Sequence, residues 1–296
     1  MRALLDHQEM SQSRNSATAV ETVVRLVRRL GIDGIDPRTL HESQHISIRL
    51  HPLDVVARVT KVGKAANVEI LRRELSVARH LANKCAPIVR PITELPAGPH
   101  FDGGYGLTLW QFVSHVPADE DNPAHVRSAA KALRAVHGAL ADFPEALPPF
   151  WTKLGECREL LEDESALPAL GAADRAFLLA TYERLRGSLM RRPMKVAPIH
   201  GDAHLDNVLI TPDGALWNDF EDVCLGPREW DIGSLPEADL APFEPIEHEA
   251  LSLLQYMRSL CISVWCWALF DRPEKREAAE YHLGRLKEHF TQSSGS

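Results

Sequence analysis

Apolar side chains in the first third of the chain change period several times. From Ser16 to Leu30, Ala19, Val23, Leu26, Val27 and Leu30 recur three and four residues apart, which predicts a one-faced helix closed by Gly31. His45 to Leu50 partly alternates. After His51-Pro52-Leu53-Asp54 comes the β-branched run Val55-Val56-Ala57-Arg58-Val59, so two antiparallel strands are expected there. Helical spacing returns from Asn67 to Leu81, with Ile70, Leu71, Leu75, Ala78 and Leu81 on one side and Pro87 as the stop. Ile88 to Ile92 and Leu107 to Val113 read as strands, and Pro96 to Gly104 between them as turns. Beyond residue 123 the pattern is helical over Ala124 to Leu140, Phe150 to Glu164, Ala172 to Met190 and Glu247 to Phe270. One hairpin interrupts it, Asn207 to Thr211 and Ala215 to Phe220 about the turn Pro212-Asp213-Gly214. The polar opening through about residue 17 reads as a frayed arm. A sheet-bearing first part and a mainly helical second part predict an α+β fold.

Composition narrows the class. Of 296 residues, 45% are hydrophobic and 25% charged, which suits a globular chain with a real core. No apolar run nears the roughly 20 residues that span a bilayer. The start, Met1 to His7, turns polar too early for a signal peptide, so a cytoplasmic protein without a membrane partner is expected. Five cysteines without a C-x-x-C pair argue against a disulfide framework or a structural zinc site. A net charge of -8 argues against a nucleic-acid partner. The charge is uneven: residues 1–109 carry a balance of +4 and the remainder -12. A basic first part suits an anion and an acidic second part a cation, although dispersed surface charge gives the same arithmetic.

The densest chemistry lies at the hairpin. His200-Gly201-Asp202-Ala203-His204-Leu205-Asp206-Asn207 is followed twelve residues later by Asp219-Phe220-Glu221-Asp222. Phosphoryl transfer needs a carboxylate to orient and deprotonate the attacking hydroxyl, and oxygen ligands to hold Mg²⁺ against nucleotide phosphates. Asp202, Asn207 and Asp219 supply that set at the spacing of a kinase catalytic loop and metal loop.

His-Gly-Asp-x-x-x-x-Asn, then Asp-Phe-Glu, then Gly226-Pro227 and Trp230-Asp231-Ile232 resembles the aminoglycoside phosphotransferase family. The likeness is sharpest over 198–235 and looser from about residue 40. It implies a two-lobed, protein-kinase-like α+β fold with a small antiparallel-sheet nucleotide-binding lobe (1–109) and a larger, mainly helical catalytic and acceptor-binding lobe (110–296), joined near 109–113. It implies Asp202 as catalytic base, Asn207 and Asp219 as metal ligands, and Asp231 as an anchor of the catalytic loop. Mg²⁺ and ATP or GTP are the implied cofactor and co-substrate.

A kinase-like chain also needs a strand cation paired with a helical acid, and Arg58 and Glu74 stand in those places. Taken alone, they read rather as a solvated strand arginine and an unrelated helix-surface acid, and the downstream motif reverses that preference. The stretch between Leu40 and Leu50 holds no glycine, a departure from protein kinases; Ser43 and its neighbours are the candidates to donate to phosphate, and a plain hairpin turn explains them as well. Leu109 to Val113 fits the connector, where the backbone of Trp110 and Phe112 would meet a purine edge; core aromatics are the plainer explanation.

The expected partner is a small hydroxylated acceptor. The resemblance implies an aminoglycoside or another amino- or sugar-alcohol, of which the acidic second part favours a cationic one such as an aminoglycoside, and the expected assembly is a monomer or weak dimer. Glu237, Asp239, Glu244, Glu247 and Glu249 could meet an ammonium group, but a solvated face accounts for them. Tyr256, Leu260 and the Trp265 and Trp267 pair read as a core stripe, and His200 and His204 as braces of the loop. Two other classes compete: a metal-dependent hydrolase built on His200, Asp202 and His204, and a catalytically idle kinase-like nucleotide binder.

Overall fold

The computed structural model describes residues 17–42, 45–62, 65–236 and 240–292. Two compact units divide the chain: residues 1–143 with 206–222, and residues 144–205 with 223–296. The frayed-arm reading, Ser43, Glu237 and Asp239 all fall outside the described residues.

The first unit opens with helix α1 (17–29), whose apolar face buries Ala19, Val23, Leu26 and Val27 as the spacing predicts. Five antiparallel strands follow: β1 Asp36–Glu42, β2 Ile46–His51, β3 Val55–Lys61, β4 His100–Asp102 and β5 Tyr105–Gln111. Their order is β1-β2-β3-β5-β4, with Arg58 opposite Ser47 on one side and Thr108 on the other. Helix α2 (Ala65–Asn83) lies between β3 and β4 in the chain and buries Leu71, Leu75, Ala78 and Leu81.

Two readings of this region need correction. Ile88 to Ile92 is not a strand: Pro87 and Pro91 lack amide donors, and only isolated bridges, Ile88 to Trp217 and Pro91 to Trp110, form there. The 96–104 turn contains the short strand β4. Strand β1 has only Pro37 and Leu40 as apolar positions and is exposed at every residue but Pro37, so no apolar alternation marks it in the sequence.

Helix α3 (Pro123–Leu140) starts where Asn122 accepts from the Ala124 amide at 3.0 Å and Pro123 takes the first helical position. The unit is completed by a second sheet of β6 (Val116–Pro117), β8 (Val208–Thr211) and β9 (Gly214–Trp217), the last two being the predicted hairpin. Trp217, fully buried, donates from Nε1 to Ala129 O at 3.0 Å and so ties the hairpin to α3.

The second unit is mainly helical. It holds α4 (Phe150–Glu162), α5 (Ala172–Met190), the short α6 (Arg228–Ile232), α7 (His248–Trp267) and α8 (Pro273–Gln292), with a two-stranded sheet of β7 (Val196–Ile199) and β10 (Cys224–Pro227). Its core joins Phe150, Leu154, Leu178, Leu185, Met257, Leu260 and Leu286. Gly226 is required in β10, since a Cβ there would meet Ile199 Cδ1 at 2.8 Å and Phe150 Cβ at 2.9 Å. The five cysteines are free, and all but Cys85 are buried. No helix among the described residues is long and apolar enough to cross a membrane.

Candidate active site

In the first unit, residues far apart in the chain meet around Arg58. Its Nη1 donates to Glu74 Oε1 at 2.5 Å and its Nη2 to Asp219 Oδ1 at 2.7 Å, with Glu221 at 3.6 Å. Glu221 in turn meets His45 Nε2 at 2.8 Å, and its carbonyl accepts from Arg73 at 2.8 Å. Strand β3 and helix α2 therefore deliver a cation and an acid, as the sequence suggests, and the hairpin delivers two more acids.

Three carboxylates on one guanidinium leave a surplus of negative charge, and burial decides where it is felt. Glu74 is 1% exposed, and its Oε2 has no hydrogen-bond partner. Burial pushes its carboxyl up to about 7 against the pull of Arg58, with Asp219 and Glu221 adding to the rise. Burial also works against the charged form of Arg58, but Glu74, Asp219 and Glu221 outweigh it and hold the guanidinium more firmly protonated than usual.

Asn207 and Asp219 lie at the same end of the hairpin. Asn207 O accepts from the Asn218 amide at 3.0 Å and from its side chain at 3.3 Å, one residue before Asp219. The backbone of Asp219 takes φ 66°, a left-handed conformation uncommon outside glycine, and such outliers concentrate at functional sites. One carboxylate and one side-chain amide from facing ends of a hairpin are hard oxygen donors of the kind that Mg²⁺ prefers.

Trp110 and Phe112, expected from the sequence to lie in a connector, stand at the end of β5. Trp110 is buried and donates from Nε1 to Thr108 Oγ1 at 2.8 Å. The Phe112 amide donates to Asp54 O at 2.9 Å, and the Phe112 ring lies under the Arg49 guanidinium at 3.6 Å.

Asp202 belongs to the second unit, on a loop held by a buried carboxylate. Asp231, fully buried, accepts from the amides of His200 at 2.7 Å and Gly201 at 2.9 Å, and Trp230 Nε1 donates to Gly201 O at 2.7 Å. Gly201 supplies φ 85°, which turns the loop between these bonds. Asp202 Oδ2 lies 3.4 Å from His204 Nε2, and Oδ1 lies 3.4 Å from Arg258 Nη2. Burial alone would raise the Asp202 carboxyl, but the His204 hydrogen bond with the charges of Lys153, His204 and Arg258 hold it well below the usual range. It is a ready acceptor of a hydrogen bond from a neutral hydroxyl.

The hydrolase alternative finds no support. Among the described residues no group of three or more His, Cys, Asp or Glu is placed to hold a metal ion. His200 is fully buried, with its Nδ1 toward the Asp202 amide at 3.4 Å, so it braces the loop. Glu244, Glu247 and Glu249 form an exposed, solvated face.

The sequence reading missed Lys153 and Arg258. The available signal was Arg258 itself, a cation between Met257 and Leu260 in an otherwise apolar stretch of α7.

With the geometry in view, the comparisons are informative. Residues 51–259, more than two thirds of the chain, match the model of the phosphotransferase enzyme family, APH. The chain belongs to that family. It is a small-molecule phosphotransferase acting on a hydroxyl acceptor. Among solved structures it is similar to the GDP and kanamycin complex of APH(2")-IIIa, at 16% identity and TM-score 0.70 over 92% of this chain and 99% of that one. A choline/ethanolamine kinase family protein from Mesorhizobium loti gives 20% identity and TM-score 0.63, covering 86% of this chain and 87% of that one. Amicoumacin kinase hAmiN, in complex with AMP-PNP, Ca²⁺ and Ami, gives 11% identity and TM-score 0.64, covering 85% and 88%. At these identities the likeness shows the kinase-like fold. No curated protein sequence matches the chain.

Proposed function

We propose that this phosphotransferase moves the γ-phosphoryl group of ATP or GTP to a hydroxyl of a small acceptor. In that reading 1–109 is the nucleotide-binding lobe and 110–296 the catalytic and acceptor-binding lobe. Asp202 orients the acceptor hydroxyl and takes its proton as the new O–P bond forms. The bond from the γ-phosphorus to the β-phosphate oxygen breaks, and nucleoside diphosphate leaves. Asn207 and Asp219 hold Mg²⁺, which when bound neutralises charge on the nucleotide phosphates. Arg58, held by Glu74, presents its planar fork to phosphate oxygens. The backbone of Trp110 and Phe112 meets the purine edge, the Phe112 amide exchanging Asp54 for the base. Ser43 is a further phosphate donor. A nucleoside triphosphate co-substrate fits a cytoplasmic enzyme, and nothing in the reaction requires more than a monomer or weak dimer.

The observation that carries this reading is the Arg58 pair with Glu74 at 2.5 Å and Asp219 at 2.7 Å, three residues from a strand, a helix and a hairpin. It is supported by APH(2")-IIIa with GDP and kanamycin and by hAmiN with AMP-PNP and Ca²⁺. APH(2")-IIIa and the choline/ethanolamine kinase family protein keep an aminoglycoside or amino-alcohol acceptor as the second reading of the substrate. The test separates the two carboxylates. Asp202→Asn should lower turnover roughly 10²–10⁴-fold with Mg²⁺-nucleotide affinity retained. Asp219→Ala should abolish both nucleotide binding and turnover. Near-normal diphosphate release in either variant rules the mechanism out.

A further inference from the structure

Positive charge gathers around Asp202. Arg258 is nine-tenths buried and carries five donors, yet its hydrogen bonds to Asp202 Oδ1, Ala203 O and Trp230 O are 3.4, 3.4 and 3.5 Å long. Charge-assisted bonds of a satisfied guanidinium are nearer 2.7–2.9 Å. Arg58 in the first unit reaches 2.5 and 2.7 Å, so Arg258 is held loosely by comparison.

The charge does not stop at Arg258. Lys153, half-buried on α4, places Nζ 5.0 Å from the centre of the Trp265 ring, and its ammonium also acts on Asp202. Arg258 sits over Trp230, at 5.2 Å. Arg285 extends the charge along α8, donating to Ser259 Oγ at 3.2 Å. Three acids of the second unit are paired with other cations: Glu183 with Arg158, Glu249 with Arg192, Asp174 with Lys287.

A cationic acceptor brought to this carboxylate would meet two positive side chains seated on indole rings. An anionic one would complete the hydrogen bonds that Arg258 makes poorly. We propose that Lys153 and Arg258 form an oxyanion-binding subsite beside Asp202, so that the acceptor carries a carboxylate or a phosphate ester near the hydroxyl that is phosphorylated. The proposal rests on the phosphotransferase reading in which Asp202 faces the acceptor. It reverses the acceptor charge expected from the overall acidity of residues 110–296. The distinction is local: the charges within reach of Asp202 govern the acceptor, whereas the balance summed over a surface is screened beyond about 8–10 Å in physiological salt.

The experiment uses the full chain with Mg²⁺ and ATP or GTP, and reads diphosphate release with hydroxylated acceptors matched in shape and differing in charge. Glycerate and glycerol 3-phosphate form the carboxylate and phosphate arms, glycerol the neutral arm, and 3-amino-1,2-propanediol the cationic arm. Gluconate, glucose 6-phosphate, glucose and kanamycin repeat the comparison at larger size. The highest kcat/KM is expected in a carboxylate or phosphate arm, and the better of the two identifies the oxyanion. Lys153→Glu should raise the KM of that acceptor at least tenfold, with the nucleotide KM as internal control, and Lys153→Arg should restore it.

A neutral or cationic acceptor that outperforms every anionic one overturns the subsite, as does an unchanged acceptor KM in Lys153→Glu. Thermal stabilisation by Mg²⁺-nucleotide separates the two levels of failure. If the nucleotide binds and the anionic arms are inert, the subsite falls and the phosphotransferase reading stands. If neither ATP nor GTP binds, that reading falls too.

Discussion

Each unit sets carboxylates against cations, and the two do so with opposite surpluses. Around Arg58 three acids share one guanidinium through bonds as short as 2.5 Å, and the most buried acid, Glu74, is driven toward neutrality. Around Asp202 one carboxylate faces Lys153, His204 and Arg258 through contacts of 3.4 Å where a distance is defined, and it stays ionised. An acid surplus suits a site that takes up a divalent cation against phosphates. A cation surplus keeps a base deprotonated and leaves donors for an anion. The same residue types thus serve different ends according to count and burial, which net charge over a half-chain does not report.

The sharpest way to break this contrast is to remove each arginine. Arg58→Met leaves Glu74, 1% exposed, beside two further acids without a counter-charge, and should cost about 3–5 kcal/mol. Arg258→Met deprives Asp202 of one partner, but that side chain is 35% exposed and water replaces the lost contact. Its cost should be nearer 1–2 kcal/mol, mostly from packing. Chemical denaturation of the full chain checks both values. Equal losses would show that the two cations are held alike, contrary to the bond lengths.

The division between legible and illegible residues follows the same physics. Asp202, Asn207 and Asp219 could be read because their chemistry lies within one short stretch, where spacing is geometry. Arg58 and Glu74 were ambiguous alone, since nothing local distinguishes a solvated strand arginine from one paired across 16 residues; only the downstream motif weighted the choice. The long helices were legible wherever one face is apolar, as in α3, where Val126, Ala129, Leu133, Val136 and Leu140 all proved buried. Helix α8 was passed over although the residues it buries, Ala279, Leu283, Leu286 and Phe290, recur four, three and four apart; the signal was there, narrowed to one residue per turn by charged and polar neighbours such as Glu274, Lys275, Arg276 and Glu277. Lys153 and Arg258 were invisible for another reason: they meet Asp202 from helices some 50 residues to either side, and no local pattern encodes that meeting.

A finer test uses pH. The folded-state pKa of Glu74 is raised, so its contribution to stability is fully present below the unfolded value of about 4.5 and is lost as pH rises toward about 7. Asp202 is depressed instead: its contribution is present above the ordinary carboxylate range and lost only as pH falls below it. Between pH 4.5 and 7 the slope of stability therefore carries Glu74 and not Asp202. Glu74→Gln keeps the shape and removes the titration, so unfolding free energy measured across that window should flatten relative to wild type, while Asp202→Asn should leave the slope unchanged. The reverse pattern would mean that Glu74 stays ionised across the window despite its burial and that Asp202 is the carboxyl that titrates within it.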